Sequence, residues 1–285
     1  MIKNKIILIT GAYGFLGLNI YKLLKNNNQV FRYGKFSKRQ IISEEGLKKF
    51  NKNFDIIIHC AGSSSVTKSI EDPAKDYQKT VGSTKAVVNF IKTQKKKIKL
   101  IYISSPAVFG NSIKKKLLKP ISPYGKNKLK SEKVLIKFSK EMKLDLVIIR
   151  FFSLYGEGLK KQLLWDTLSK LKKKVFSFYG DGSETRSWMH ISDAIKVINL
   201  VVENNIKGLK IINPAGNDVL TNKEIINNIY KISNAKEKPV FTGIIRKGDP
   251  KKQIFNNTDL DRIGWKQSVS MSKGLKKYIK WFKKQ

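Results

Sequence analysis

Five short apolar runs recur through the first half of the chain, and none alternates with polar residues. They are Ile6-Ile7-Leu8-Ile9, Val30-Phe31, Ile56-Ile57-Ile58, Leu100-Ile101-Tyr102-Ile103 and Leu146-Val147-Ile148-Ile149. A strand with one wet face alternates apolar and polar residues. A strand covered on both faces need not, and such strands belong to parallel sheets. Helical patterns lie between the runs, over residues 15–25, 44–50, 73–93 and 123–143. Strands alternating with helices predict an α/β fold built on a doubly wound parallel sheet. After about residue 158 the rhythm loosens. Helices are predicted over 159–172, 192–203, 222–232 and 271–283, joined by loops rich in Gly, Asn and Pro, which reads as a smaller C-terminal α/β unit.

The chain has 285 residues, 41% of them hydrophobic, so a sizeable core is available and wholesale disorder is excluded. With one Cys and two His, neither an internal disulfide nor a Cys/His zinc site can form. The lone thiol fits a reducing compartment. Residues 1–10 are too short for a signal peptide and run straight into Gly11-Ala12-Tyr13-Gly14. They read as a first buried strand, with no apolar stretch long enough to insert in a membrane. A cytoplasmic location is expected. Lys and Arg number 58 against 21 Asp and Glu, a net charge of +37. Such a balance invites a nucleic-acid or membrane-surface reading. Lysines occur almost everywhere, however, so a solvated lysine-rich surface accounts for it, and an anionic small substrate would gain from the same field.

Two motifs carry chemistry. Gly11-Ala12-Tyr13-Gly14-Phe15-Leu16-Gly17 follows a strand and opens a helix. Glycines there let the backbone approach a diphosphate, and the helix N-terminus offers it free N–H groups. The second is Tyr124-Gly125-Lys126-Asn127-Lys128. Residues four apart share a helix face, so the Lys128 ammonium is expected near the Tyr124 phenol, lowering its pKa. The spacing alone decides nothing, since Tyr21 and Lys25 show it too. Context lifts Tyr124: Ser122-Pro123 opens its helix, and a strand ending in Ser104-Ser105 precedes it, at the sheet edge where ligands bind.

On these motifs the chain resembles the extended short-chain dehydrogenase/reductases, the nucleotide-sugar epimerase, dehydratase and reductase group with a Rossmann fold. Further segments carry the resemblance. Asp55–62 looks like that family's fourth strand, ending in Cys60, Ala61 and Gly62 at the cofactor. Residues 104–110 resemble its serine-bearing strand end, and 150–156 its entry to the substrate domain. Gly180-Asp181-Gly182-Ser183-Glu184-Thr185-Arg186, with Trp188-Met189-His190 and Asp193, resembles its substrate-phosphate segment. Arg246-Lys247-Gly248-Asp249-Pro250 and Ile263-Gly264-Trp265 resemble its C-terminal signatures. Both histidines fall inside motifs and read as packed residues.

The resemblance implies a role for each matching residue. Tyr124 exchanges a proton with the sugar, Lys128 holds the nicotinamide ribose and lowers the Tyr124 pKa, and Ser105 hydrogen-bonds the reacting oxygen. Gly11, Tyr13, Gly14, Phe15, Leu16, Gly17, Cys60, Ala61 and Gly62 line the cofactor. Arg186 and Arg246 clamp the substrate diphosphate, and Ser153 stands at the substrate. Residues 1–158, with 187–214 returning to them, would form the dinucleotide-binding domain; 159–186 and 215–285 would hold the substrate. A homodimer through the helices at 73–93 and 123–143 is also implied, and nucleic acid is not an expected partner.

Departures from the family pattern refine this. Gly34 stands where an acid usually binds the cofactor ribose, and Arg32, Lys35, Ser37, Lys38 and Arg39 surround it. A carboxylate would repel a 2′-phosphate and cations attract it, so NADP(H) is expected over NAD(H), which stays possible. Thr80 and Ser153 replace two family asparagines near the site. Pro106-Ala107 follows Ser105 where dehydratases carry Asp-Glu, and neither can transfer a proton. The expected reaction is reduction of a 4-keto nucleotide sugar at C4. The alternative is 4-epimerisation, with a non-catalytic nucleotide- or RNA-binding role a lesser one.

Overall fold

The computed structural model describes residues 2–34, 41–112, 117–255, 260 and 264–285. Its main sheet contains β1 (Ile6–Thr10), β2 (Gln29–Tyr33), β3 (Ile56–His59), β4 (Lys99–Ser104), β5 (Asp145–Arg150) and β9 (Leu209–Ile212), in the order β2-β1-β3-β4-β5-β9. Every pairing in it is parallel. The strand read as a fourth is third in the chain among the described residues, with α2 (Glu44–Lys48) before it.

The apolar runs are covered on both sides. Ile7, Ile9, Ile58, Ile101, Val147 and Ile149 face α1 (Phe15–Leu24) and α8 (Ile191–Glu203), packing on Ile20, Leu24, Val197 and Val201. The alternate residues Leu8, Ile57, Leu100, Tyr102, Leu146 and Ile148 face α5 (Ser83–Lys92) and α6 (Pro123–Glu141), on Val87, Phe90, Leu135 and Phe138. Strand period two with an apolar layer on each face gives the uninterrupted runs.

α6 begins where Ser122 accepts a hydrogen bond from the Gly125 N–H at 3.2 Å, with Pro123 at the first helical position. The helical stretch at 73–92 is α4 (Pro73–Tyr77), a π turn over Gln78–Gly82, then α5. It is preceded by α3 (Val66–Glu71).

The remaining strands form two small sheets. β8 (Thr185–His190) pairs with β6 (Ser153–Tyr155), β10 (Asp218–Thr221) and β12 (Lys252–Gln253), while β7 (Ser177–Phe178) pairs with β11 (Val240–Phe241). α7 (Gln162–Lys172), α9 (Asn222–Ile232) and α10 (Met271–Phe282) cover them, through Leu164, Leu168, Ile225, Ile229, Leu275 and Tyr278. The fold is a doubly wound parallel sheet of Rossmann type with a smaller C-terminal α/β unit. Among the described residues no helix is long and apolar enough to cross a membrane.

Candidate functional site

The carboxyl ends of β1, β3 and β4 meet at one edge of the sheet. From β1 the chain turns through Gly11 into α1. Gly11 has φ +68°, and a Cβ there would stand 2.7 Å from the Ala61 amide nitrogen. A Cβ on Gly17 would collide with the Gly11 carbonyl oxygen. Only glycines let α1 and the end of β3 close on this turn. No side chain caps α1, and its first turn carries no acid. Its free N–H groups are therefore left for an anion, and the diphosphate of a dinucleotide fits this cradle. Tyr13 lies in the turn and Phe15 and Leu16 open α1, as expected.

Arg32, next to last in β2, faces the α1 side. Its guanidinium lies 4.9 Å from the ring centroid of Tyr13 and 4.3 Å from that of Tyr21. Cation–π attraction thus holds it beside the cradle. Lys35, Ser37, Lys38 and Arg39, like Ile263 of the C-terminal signature, lie outside the described residues.

Ser105, Tyr124 and Lys128 come together beyond β4. Ser105 opens a short 3₁₀ turn, its Oγ accepting from the Ala107 N–H at 3.2 Å. Tyr124 sits in the first turn of α6, where its N–H donates to Ser69 Oγ at 3.1 Å, and its phenol lies near the Ser105 hydroxyl. Lys128 is buried one turn on. Its ammonium donates to the Ile103 carbonyl at 2.9 Å and stands 3.3 Å from where a Cβ on Gly62 would be. Burial brings its pKa down to about 8.

The expected depression of the Tyr124 pKa is not what this geometry gives. Burial pushes the phenol up, the nearby Ser105 hydroxyl offsets part of that, and the Asp76 carboxylate adds to the rise. The Lys128 charge is committed to the Ile103 carbonyl instead. Tyr124 is held as a protonated phenol. Cys60, at the end of β3, is also held protonated, burial pushing its thiol up to about 12.

Several residues here have roles that the motifs alone do not show. Asp76 on α4 is buried; one carboxylate oxygen accepts from Asn127 Nδ2 at 2.7 Å, and the other has no partner among the described residues. Its charge also favours the protonated form of Lys128. Thr80, in the π turn, accepts from the Ser63 N–H at 3.0 Å and so fixes the loop that carries Gly62. The buried Glu132 and Arg150 form a two-pronged ion pair, at 2.9 and 2.6 Å, beneath the active edge. The one signal in the sequence was scarcity: an acid stands out in so basic a chain.

Ser153 begins β6 opposite Trp188 of β8. Arg186 lies on β8 and donates to the Thr185 carbonyl at 3.0 Å. Arg246 stacks on Tyr179, 4.5 Å from the ring centroid. Asp249 feels both arginines: burial pushes its carboxyl up, and the charges of both guanidinium groups pull it back down. Their loop reaches the trio, because Gly248 packs against Val66 and Ile70 of α3 and against Ser122.

Both histidines are packed. His190 meets Ser192 and Glu157. His59 lies between Thr10 Oγ1 at 2.7 Å and Thr84 Oγ1 at 3.1 Å. Thr84 already donates to the Thr80 carbonyl, so it accepts from Nε2–H and Nδ1 accepts from Thr10. The ring is neutral, and burial, with Lys128 nearby, drops its pKa to about 3. An unfolded histidine takes a proton near pH 6.5. The stability from this neutral ring is therefore complete above about pH 6.5. It is lost as pH falls toward 3, at up to about 1.4 kcal/mol per pH unit. His59→Gln is expected to flatten the acid side of the urea-midpoint profile between pH 6.5 and 4. Parallel profiles for the two proteins would contradict a neutral ring.

Comparison with known proteins agrees with this geometry. The sequence profile of the NAD dependent epimerase/dehydratase family matches residues 7–213. The dTDP-D-glucose 4,6-dehydratase of Dictyostelium discoideum is 26% identical, over 97% of this chain and 81% of its own. The UDP-glucose 4-epimerase of Mycoplasma genitalium is 31% identical, over 49% of this chain and 48% of its own. The fold is shared with the UDP-glucuronic acid 4-epimerase of Bacillus cereus, solved with UDP-glucuronic acid and NAD. That match has a TM-score of 0.85 at 24% identity, over 98% of this chain and 99% of that one. With its profile match spanning most of the sequence, its glycine cradle and its parallel sheet, the chain belongs to the NAD dependent epimerase/dehydratase family.

Proposed function

We propose that the protein reduces a 4-keto nucleotide sugar at C4, with NADP(H) preferred. The observation that carries this reading is Tyr124, a phenol held protonated against Ser105 at the sheet edge. A bound pyridine dinucleotide supplies the hydride. Gly11, Gly14 and Gly17 would hold its diphosphate, and Lys128 its nicotinamide ribose. Ser105 orients the C4 oxygen, and Tyr124 gives that oxygen its proton as an alcohol forms. Arg186 and Arg246 take the substrate diphosphate, for which paired guanidinium groups are suited, and Asp249 between them gives way to it. Pro106 and Ala107 are buried after Ser105. Neither carries a proton, so elimination of water lacks its acid. NADP(H) is favoured by Gly34 in place of an acid and by Arg32 near the end of β2. In this division of labour, residues 1–158 and 187–214 hold the cofactor, and 159–186 and 215–285 hold the substrate.

A second reading, 4-epimerisation, is favoured by a specific observation: named 4-epimerases stand among the similar proteins, one of them solved with NAD. Incubation with a panel of nucleotide sugars and their 4-keto forms, with NADPH, with NADH and with neither, separates the two. Stoichiometric loss of the reduced-nicotinamide absorbance on a 4-keto sugar, faster with NADPH, is expected. Interconversion of C4 epimers without added reductant would select the epimerase instead.

A further inference from the structure

Every residue between Gly11 and Gly17 is uncharged, so the turn offers a diphosphate N–H groups and no cation. Each phosphate of a dinucleotide carries negative charge, and a cation brought to it adds a charged donor to the N–H groups of the turn. Any such cation comes from outside the turn.

The segment entering α7 passes over this place. A Cβ on Gly158 would lie 3.8 Å from Cδ2 of Phe15, the first residue of α1. Three residues later the Lys161 ammonium donates to Ser64 Oγ at 2.7 Å. Ser64 is two residues beyond Gly62, the glycine over which Lys128 stands. Lys161 is thus tied to the loop after β3 that carries Gly62, and the segment leading to it touches the first residue of α1.

We propose that Lys161 is a cofactor ligand that contacts the dinucleotide diphosphate from the second unit of the fold. The inference rests on the dinucleotide reading of the glycine cradle. Its charge is uncompensated: among the described residues no carboxylate pairs with Lys161, and the nearby charge is another cation, Lys68. Other lysines found beside acids do pair, as Lys96 with Asp55, Lys97 with Asp145 and Lys170 with Asp166. Lys161 is exposed, and the Lys68 charge nearby repels its ammonium, a repulsion that an anion between the two lysines would relieve. The next residue, Gln162, takes φ +66°. A side chain adopts that left-handed turn only at a cost, and strain of this kind gathers at ligand clamps.

The substrate also carries a diphosphate, so the test compares two probes on the full chain by calorimetry. ADP-ribose carries the dinucleotide's diphosphate, and UDP carries that of a nucleotide sugar. Lys161→Gln is expected to weaken ADP-ribose binding about tenfold or more and to leave UDP binding within about twofold. Lys161→Arg, which keeps the charge, is expected to retain most of the affinity. Equal ADP-ribose affinity in wild type and Lys161→Gln would overturn the assignment. A loss confined to UDP would also overturn it, by moving the lysine to the substrate. Failure of the wild type itself to bind ADP-ribose would bring down the cradle reading beneath it.

Discussion

Tyr124→Phe is expected to lower kcat by about a hundred- to ten-thousand-fold, the usual contribution of a placed proton donor. The change removes one oxygen and leaves the ring to pack as before. The backbone N–H of residue 124 still donates to Ser69, so α6 keeps its start. Melting temperature and dinucleotide affinity should therefore stay near wild type while turnover is lost. At neutral pH the loss cannot be repaired by the neighbours. Lys128 is still mostly protonated there, with its pKa at about 8, but its ammonium is turned to the Ile103 carbonyl. Ser105 has no general base of its own among the described residues. Turnover within about threefold of wild type would remove Tyr124 from the chemistry. A parallel loss of stability and activity would make it a packing residue.

The second large effect concerns the support of the site. Glu132 and Arg150 are both buried, and Glu132 also accepts from Ser104 Oγ on β4. Arg150 ends β5 and stands 5.0 Å from the Phe109 ring centroid. Glu132 lies one turn beyond Lys128 on α6, so the pair ties the helix that carries Tyr124 and Lys128 to the sheet. Glu132→Ala leaves a guanidinium in the interior without its counter-charge, and a loss of about 3–5 kcal/mol is expected. Two apolar residues of similar volume bury no charge, so Glu132→Leu with Arg150→Met should recover most of that loss. Urea denaturation of the single and double variants measures both. A loss below about 1 kcal/mol for Glu132→Ala would mean that water reaches the pair and that it does not anchor α6.

The parts of this molecule that were readable in the sequence are those whose cause is local. The runs at Ile6, Ile56, Leu100 and Leu146 were readable because burial on both faces removes polar residues altogether. The helix at Asn222–Ile232 was readable to its ends, because Thr221 and Glu224 form a reciprocal cap. α3 was not expected, since six residues are too few for a period to show. The small sheet around β8 was also hidden: Thr185-Arg186-Ser187 is polar, and its partners are distant in the chain. The site divides the same way. Ser105, Tyr124 and Lys128 sit in contiguous motifs. Asp76, Lys161 and Asp249 matter only through what the fold brings to them. Lys161 meets Ser64 across 97 positions, and Asp76 meets Asn127 across 51. The expected effect of Lys128 on Tyr124 failed for a related reason. Helical spacing places the two on one face, but the Ile103 carbonyl, contributed by β4, decides where the ammonium points.

Transfer of hydride between a nicotinamide and C4 of the sugar, at the Tyr124 edge of the sheet, is the step proposed for this protein. Reduced cofactor carrying deuterium at its transferable position, incubated with a 4-keto nucleotide sugar, tests this directly. The product sugar should carry deuterium at C4 in wild type, and Tyr124→Phe should yield almost none in the same time. A product without deuterium, or with deuterium at another carbon, would contradict the claim.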